Sequence, residues 1–197
     1  MPVKSSSRVE QAFEWLQSGE PSNVERSISV LQDAVFGFGM RVCGNPADAE
    51  DTAQETLLRL ARSLKKFPNT RALSVWLYKV AKSQCMMSRR KSKFAPQYML
   101  SLDELMPPSV HDGDPGARSW QITPEEALLQ GEFQARLEGA IHALPKPYRL
   151  VLILRDMEGL DTREAAEVLG IAVPTAKQWW AYARAWLRVE IARATAS

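Results

Sequence analysis

The sequence predicts an all-α protein of two small helical domains joined by an extended acidic linker, with a helix-turn-helix in the C-terminal domain. Three observations support this prediction. Apolar residues recur at helical spacing in most segments, and alternating strand-like runs are missing. The helical periodicity is lost between residues 94 and 123. Residues 162–181 have the pattern of two short helices around a glycine turn.

The composition is that of an ordinary globular protein. The chain has 197 residues, with 25 Lys and Arg against 23 Asp and Glu, and two cysteines, Cys43 and Cys85. No apolar run reaches the roughly 20 residues of a membrane-spanning helix, and the N-terminus lacks the apolar stretch of a secretory signal. Two cysteines cannot supply a disulfide scaffold or a cysteine-rich zinc site. We therefore expect a cytoplasmic protein that is not an integral membrane protein and that holds no metal or cofactor.

The N-terminal domain is predicted to contain three helices. The first covers residues 23–43 and ends at Gly44, and the second starts with Asn45 as N-cap and Pro46 at the first helical position. The third runs from about Ala72 to Lys91, after a break at residues 67–70. The side chains expected to face inward are, in order, Ile28, Leu31, Val35, Phe38 and Val42; Ala53, Leu57, Leu60 and Leu64; and Leu73, Trp76, Leu77 and Val80.

Charge is distributed in blocks along the chain. The acids stop at Glu55 and resume at Asp103, and eleven basic residues lie between them. Such a stretch attracts a polyanion, of which nucleic acid is the commonest in a cytosol, but it is equally compatible with a solvated basic face.

An acidic stripe precedes the basic stretch on the second predicted helix. Asp48, Asp51 and Glu55 share one face, with Gln54 beside them. Asp48 also suits the positive end of the helix dipole, but Glu55 lies nearly two turns further on. The stripe is either a docking surface or a solvated helix face.

Residues 94–123 predict a linker because they are rich in proline and acids, and Thr123-Pro124 then has the pattern of a new helix start. The predicted organisation is an N-terminal extension (1–22), a first helical domain (23–93), the linker (94–123) and a second helical domain (124–197).

The C-terminal motif fits a helix-turn-helix. Gly170 can take the left-handed conformation of the tight turn, and Ala166 is small where the two helices approach. Ala165, Leu169, Ile171, Ala176 and Trp180 are the expected buried positions. Pro174 suits the start of a second helix that presents outward Thr175, Lys177, Gln178 and either Ala181 or Tyr182. Such a helix can enter the major groove, although an ordinary helical hairpin has a similar pattern.

These segments together resemble a bacterial RNA polymerase sigma factor of the extracytoplasmic-function type. The resemblance covers roughly residues 23–93 and 124–190 and leaves out the first twenty-two residues. It rests on three stretches: ADAEDTAQETLLRLARSL, which is similar to the core-binding helix; VWLYKVAKSQCMMSRRKSK, similar to the promoter −10 segment; and the −35-binding domain from LPKPYRLVLILRDMEGL through the helix-turn-helix to AWLR.

The resemblance implies a role for each surface. The acidic stripe would bind core RNA polymerase, the basic helix would hold −10 DNA, the turn at residues 67–74 would border a pocket for a flipped base, and the acidic linker would thread the polymerase's basic cleft. Trp76 is expected in the core rather than as a stacking platform. The implied site residues are Asp48, Asp51, Gln54 and Glu55 for core polymerase; Lys79, Lys82, Ser83, Arg89, Arg90 and Lys91 for −10 DNA; and Thr175, Lys177, Gln178, Trp179, Tyr182 and Arg184 for −35 DNA.

The chain departs from the family pattern at two places. Ser83 and Met87 stand where the −10 helix often has Asn and Asp. Residues 178–182, Gln-Trp-Trp-Ala-Tyr, replace the usual Ser-Arg-Leu-His-Arg of the recognition helix. We expect Trp179 and Tyr182 to be more exposed than Trp180, and Gln178 to be able to pair with adenine.

The predicted function is that of a sigma factor, whose partners are core RNA polymerase, promoter DNA and, as a further candidate, an anti-sigma factor. The chain is predicted not to be an enzyme and to take no small-molecule substrate, because His111 and His142 lie far apart and no catalytic constellation is present. Two alternatives stay open. One is a sigma-factor mimic that binds an anti-sigma factor without initiating transcription, and the other is a one-component repressor that uses the helix-turn-helix alone.

Overall fold

A computed structural model describes the backbone of residues 5–62, 67–91 and 135–195. Helices account for most of these residues, and none of them lies in a strand. In chain order the elements are α1 (Ser5–Ser18), α2 (Pro21–Cys43), α3 (Pro46–Ala61), α4 (Thr70–Lys91), α5 (135–143), α6 (Lys146–Leu152), a π-helical turn (Ile153–Met157), α7 (Thr162–Leu169) and α8 (Val173–Thr195). The predicted all-α fold is confirmed. The predicted linker and the residues around Thr123 lie outside the described ranges.

α2 is the central helix of the first unit. It starts with Pro21 in its first turn and ends at Gly44, which has the left-handed φ of 71° predicted for the stop. Leu31, Val35 and Phe38 are fully buried, as expected. Burial of each such side chain contributes about 1.5–3 kcal/mol, so this face anchors the unit.

The prediction that Ile28 lies on this inward face is wrong. Its side chain is 37% exposed, whereas that of Ser27 is fully buried. Ser27 can occupy the inward position because its hydroxyl donates a 2.7 Å hydrogen bond to the carbonyl of Asn23 one turn earlier. The buried face therefore passes through residue 27 and leaves Ile28 turned towards solvent.

α1 was not anticipated by the sequence analysis, which treated residues 1–22 as an extension. The helix packs against α2 and α4 and buries Val9 and Ala12 completely. The first unit of the structure therefore contains four helices.

The starts of α3 and α4 use side-chain caps. The side-chain oxygen of Asn45 accepts a 2.9 Å hydrogen bond from the backbone N–H of Ala47, so the predicted cap is confirmed. Asn69 caps α4 in the same way by accepting from Ala72 N at 2.9 Å, which places the helix start at Thr70. Leu73 and Leu77 are fully buried, whereas Trp76 and Val80 are only partly buried.

A disulfide joins the end of α2 to α4. Cys43 and Cys85 are paired with their Cα atoms 5.9 Å apart, and both side chains are buried. This separation is typical of disulfides. The sequence analysis did not anticipate this single crosslink within the first unit.

The second unit comprises α5 to α8. Arg149 of α6 holds the C-terminal end of α5 against α6. Its Nη2 donates hydrogen bonds to the backbone oxygens of His142 and Leu144 at 2.5 and 3.0 Å. After α6 the helix widens into the π turn, where the N–H of Glu158 donates to the carbonyl of Ile153 at 2.9 Å.

The two units pack against each other, with α7 lying on α4 and α6 near α2. Their apolar side chains form a continuous core that includes Leu73 and Tyr78 from the first unit and Ile153 and Leu154 from the second.

Candidate nucleic-acid and protein interfaces

Residues 162–181 form the predicted helix-turn-helix. Asp161 caps α7 through hydrogen bonds from the N–H groups of Arg163 and Glu164, and the Glu164 carboxylate accepts from Asp161 N in return. α7 ends at Gly170, whose φ of 72° allows the tight turn into α8. Where the helices cross, Ala166 and Ala176 are buried against Val151, so the small residues allow the close approach.

The second helix of the motif presents several predicted DNA-binding residues to solvent. Lys177, Gln178 and Arg184 are exposed, and Thr175 is partly buried. Lys177, Ala181 and Arg184 share one exposed face because they are three or four residues apart. Two of these three residues are cations and none is a carboxylate. The face therefore carries the positive charge that phosphate contact requires.

Trp179, Trp180 and Tyr182 are all partly buried, so the expected order of their exposure stays a prediction. Trp179 and Tyr182 pack against Tyr148 of α6, with ring centroids 5.8 and 4.5 Å from it. Burial raises the pKa of Tyr148. Burial and the neighbouring Tyr148 raise the pKa of Tyr182. The two aromatic residues therefore hold α8 on α6, and their periodicity alone could not reveal this because Tyr148 lies on another helix.

Trp180 is also partly buried and organises a charged cluster beside the exposed face of α8. Its indole N–H donates a 3.0 Å hydrogen bond to Asp156. The guanidinium groups of Arg155 and Arg184 lie 3.8 and 4.9 Å from the centre of its ring. Cation–π contacts of this kind restrict both arginine side chains.

The predicted acidic stripe borders a cavity of about 460 Å³ between α3 and α4. Asp51 and Gln54 are exposed, whereas Asp48 and Glu55 are partly buried. The walls of the cavity combine acids with amide and apolar groups, namely Asp51, Thr52, Gln54, Glu55, Leu58, Gln84 and Met87.

One acid of the stripe has a partner on its own helix. Glu55 accepts a 2.7 Å hydrogen bond from Nε of Arg59, one turn later. Both side chains are nearly half exposed, so the pair contributes little and does not neutralise the stripe as a whole.

The predicted −10 residues lie along α4, and the structure separates them. Lys79 and Ser83 are exposed. Lys82 is partly buried, and its ammonium donates a 2.6 Å hydrogen bond to the carbonyl of Val168 in the second unit. Burial and the neighbouring Lys79 lower the pKa of Lys82. Arg89, Arg90 and Lys91 lie in the last turns of α4, and their side chains are outside the described part of the chain.

The turn before α4 borders a second cavity, of about 480 Å³. Phe67 and Trp76 form one wall, in an edge-to-face contact with 5.4 Å between ring centroids. Trp76 thus packs against the core, as expected, and also lines the cavity. Lys79 lines it from the first unit and Glu167 from the second.

Sequence reasoning missed a buried polar cluster between the units. Glu158 is completely buried, and its carboxylate accepts a 2.6 Å hydrogen bond from the hydroxyl of Tyr78 and a further one from the guanidinium of Arg41. These residues are 80 and 117 positions from Glu158, so no local pattern could indicate the contact.

The described residues hold no group of three or more His, Cys, Asp or Glu side chains that could bind a metal ion. None of their helices is long and apolar enough to cross a membrane.

Two packed helical units, one carrying a helix-turn-helix with an exposed basic face, define a DNA-binding protein of the helix-turn-helix class. The chain belongs more narrowly to the sigma-70 family and is a sigma factor of the ECF type. Residues 28–94 match the family model of Sigma-70 region 2, and residues 134–187 match that of Sigma-70, region 4. Together these matches cover more than half of the chain and one falls on each helical unit.

Curated relatives extend this likeness across both units. The ECF RNA polymerase sigma factor SigW of Bacillus subtilis (strain 168) is 27% identical over 176 residues, which cover 86% of this chain and 89% of that protein. The RNA polymerase sigma-H factor of Pseudomonas aeruginosa is 26% identical over 172 residues, with coverage of 85% and 86%.

Two solved structures share the fold. The sigma factor RpoE from Bartonella quintana, crystallised with the anti-sigma factor NepR, gives a TM-score of 0.58 at 21% identity and covers 85% of this chain and 95% of its own. CnrH in complex with the cytosolic domain of CnrY gives a TM-score of 0.52 at 21% identity, with 94% and 95% coverage.

Proposed function

We propose that the chain binds core RNA polymerase and directs it to specific promoters, where it recognises the −10 and −35 elements and starts transcription. The observation that carries this proposal is the separation of the two family matches onto two helical units. One unit bears the acidic stripe and basic helix, and the other bears the helix-turn-helix.

Core polymerase is assigned to the acidic stripe of α3. Asp51 and Gln54 are exposed there, and Leu58 adds an apolar side chain that is 58% exposed. Carboxylates around an exposed apolar residue suit a protein partner that supplies basic groups, since the apolar contact gives affinity and the charges give orientation.

Promoter DNA is assigned to two surfaces. The basic residues of α4, with Lys79 exposed among them, would contact the −10 phosphates, which fixes the register of the DNA more than it reads sequence. On α8, Gln178 would reach a base edge and Lys177 and Arg184 would bind phosphates, which their exposed side chains support. Trp179 and Tyr182 stay candidates for sugar-phosphate contact, but only through the parts of their side chains that are exposed to solvent.

We propose no catalytic role for the chain, and we place its activity in the cytoplasm with the polymerase. The relatives named above are sigma factors. One structural neighbour, the sigma factor RpoE, was crystallised with an anti-sigma factor, which supports an anti-sigma factor as a candidate partner here. This support does not favour the sigma-mimic alternative, because that partner binds a sigma factor.

Run-off transcription with purified core polymerase tests the proposal. We expect promoter-dependent transcripts when the chain is added to core enzyme on genomic fragments, and sequencing of the fragments bound by the holoenzyme would identify the promoters. A chain that binds an anti-sigma factor but yields no transcript would be a mimic. A chain that binds DNA alone and shows no affinity for core enzyme would be a repressor.

A further inference from the structure

A cluster of one indole, two guanidinium groups and one carboxylate lies where the π-helical turn contacts α8. Trp180 supplies the indole from α8, and Arg184 follows it one turn later. Arg155 and Asp156 supply the other two groups from the π turn. The whole cluster belongs to the second unit and adjoins the exposed face of Lys177 and Arg184 that is assigned to −35 DNA.

The orientation of the Trp180 ring is fixed by Asp156. The indole N–H donates a 3.0 Å hydrogen bond to Oδ1 of Asp156. Because an indole has this one donor and no acceptor, the bond selects one rotation of the ring. The ring also packs against the buried Val151, Ala166 and Ala176, where the two helices of the motif cross. Trp180 is therefore held by a polar and an apolar contact at once.

Two guanidinium groups rest on this ring. The guanidinium of Arg155 lies 3.8 Å from the ring centre and that of Arg184 lies 4.9 Å from it. Both distances are within the range of cation–π contact, for which tryptophan is the best aromatic partner. Nε of Arg155 is buried and has no hydrogen-bond partner among the described residues. The described contact that holds this guanidinium is therefore the ring.

Asp156 leaves the arginines with positive charge in excess. Its Oδ2 is 3.9 Å from Nε of Arg184, and the two side chains are 38% and 53% exposed. An exposed pair at this distance contributes little. Since two cations face one carboxylate, the cluster keeps a positive charge that attracts phosphate.

Long arginine side chains lose rotational freedom when they bind a phosphate. The loss costs roughly two- to tenfold in affinity for each side chain that becomes ordered on binding. A support that already restricts the side chain in the free protein removes part of this cost. Arg184 is more than half exposed and is still restrained by the ring, so it combines access to DNA with a defined position.

We propose that Trp180 and Asp156 are positioning residues for −35 DNA binding. Asp156 fixes the indole, and the indole holds the guanidinium groups of Arg155 and Arg184 as a pair that binds phosphates of the duplex. The proposal rests on the assignment of α8 to DNA under the proposed function. It adds Arg155, from outside α8, to the groups that meet the backbone, and it gives a role to a carboxylate whose charge alone would repel DNA.

Two substitutions of Asp156 separate its hydrogen bond from its charge. Asp156→Asn and Asp156→Ala both remove the carboxylate charge, but only asparagine keeps an oxygen that can accept from the indole N–H. Trp180→Phe removes the donor and keeps an aromatic ring. The matched control pair is Glu138→Gln and Glu138→Ala, since Glu138 is an exposed acid of α5 in the same unit.

The measurement is fluorescence anisotropy of the full chain with a labelled random-sequence duplex of about 20 base pairs, two helical turns, at several salt concentrations. A random sequence suffices because phosphate contacts carry no sequence information. We expect Asp156→Ala to bind about three- to tenfold more weakly than Asp156→Asn, and Trp180→Phe to be weaker than the wild type by a similar factor. The two Glu138 variants should bind equally.

A background without the two arginines separates positioning from a merely structural role. In Arg155→Ala with Arg184→Ala, the difference between Asp156→Asn and Asp156→Ala should vanish, because the hydrogen bond then has no guanidinium to position. A structural role would leave the difference in place. Circular dichroism checks that each variant is folded.

Equal affinities of folded Asp156→Asn and Asp156→Ala would overturn the proposal, as would a difference that persists without the two arginines. If Asp156→Ala fails to fold, Trp180→Phe decides the matter, and wild-type affinity in that variant would overturn the proposal.

The salt dependence reports on the proposed function separately. Loss of both arginines should reduce the slope of log K against log salt by about two units. A reduced slope with equal Asp156 variants would leave the assignment of α8 to DNA standing and remove the positioning role. An unreduced slope, or no duplex binding by the wild type, would remove that assignment and the proposal with it.

Discussion

The hydroxyl of Tyr78 donates a 2.6 Å hydrogen bond to Oε2 of Glu158, across 80 positions of sequence and from one helical unit to the other. Both side chains are completely buried. The ring of Tyr78 also packs on Phe38, with 5.2 Å between centroids, so the residue has separable apolar and polar roles.

Tyr78→Phe should lower the free energy of unfolding by about 1–3 kcal/mol, because it keeps the ring and leaves the buried carboxylate short of a donor. Urea denaturation followed by circular dichroism measures this loss. In a Glu158→Gln background, Tyr78→Phe should lower the free energy of unfolding by clearly less. Equal losses in the two backgrounds would mean that the hydroxyl does not act through Glu158.

Charge reversal of the acidic stripe, Asp51→Lys with Glu55→Lys, should abolish binding to core polymerase in a pulldown. Stability should change by less than about 1 kcal/mol, since Asp51 is exposed and the Glu55–Arg59 pair is nearly half exposed. The matched control reverses two exposed acids of α2, Glu25 and Asp33. Retained binding in the stripe variant would remove this surface from the polymerase interface.

Lys177→Ala should weaken binding to −35 duplex DNA and reduce the slope of log K against log salt by about one unit, because one phosphate contact is lost. Lys177 is exposed, so folding should be unaffected. Arg8→Ala, an exposed cation on α1, is the control and should leave the slope as it is. A slope unaltered by the Lys177 substitution would show that this side chain does not touch the backbone.

Acid should destabilise the folded protein partly through Asp161. Burial acts to raise the pKa of this carboxyl, but the N–H groups of Glu164 and Arg163 together with Arg71 outweigh it and lower the pKa. Because the folded-state pKa is lowered, the charged carboxylate stabilises the protein at pH values above the unfolded-state pKa, near 3.8. This stabilisation is lost as the pH falls through the folded-state pKa.

The free energies of unfolding at pH 7 and pH 3 should therefore differ less for Asp161→Asn, which keeps a capping side chain, than for the wild type. Asp33→Asn, on the exposed face of α2, should retain the wild-type pH difference. An equal acid loss in the wild type and the Asp161 variant would contradict this role.

Reduction of the Cys43–Cys85 disulfide should lower the free energy of unfolding by about 2–4 kcal/mol, since the crosslink closes a long loop between α2 and α4. Urea denaturation with and without dithiothreitol measures the difference. Cys43→Ser with Cys85→Ser should match the reduced protein and lose all sensitivity to the reductant. A reduced wild type as stable as the oxidised one would show that the crosslink does not constrain the chain.

Several local features were predictable because their causes are local. Asn45 and Gly44 mark helix ends through their own backbone and side-chain chemistry, and Gly170 with Ala166 marks the helix-turn-helix. The inward position of Ile28 was predicted wrongly because Ser27 can be buried in its place. The hydroxyl of Ser27 hydrogen-bonds to a carbonyl of its own helix, so its burial leaves no polar group unpaired. The packing of Trp179 and Tyr182 on Tyr148 could not be predicted for a different reason, namely that Tyr148 lies on another helix, α6.

By itself, the sequence determined the all-α class, the helix-turn-helix and the acidic and basic blocks, because each depends on spacing within a few turns of helix. Tertiary structure alone decided which of the charged residues are free to meet a partner. Lys82 and Arg71 belong to the basic stretch in sequence, yet α7 holds both of them. The physical reason is that a buried carboxylate such as Glu158 takes its donors from whatever surface folds against it, and only the packing of the two units brings Tyr78 and Arg41 there.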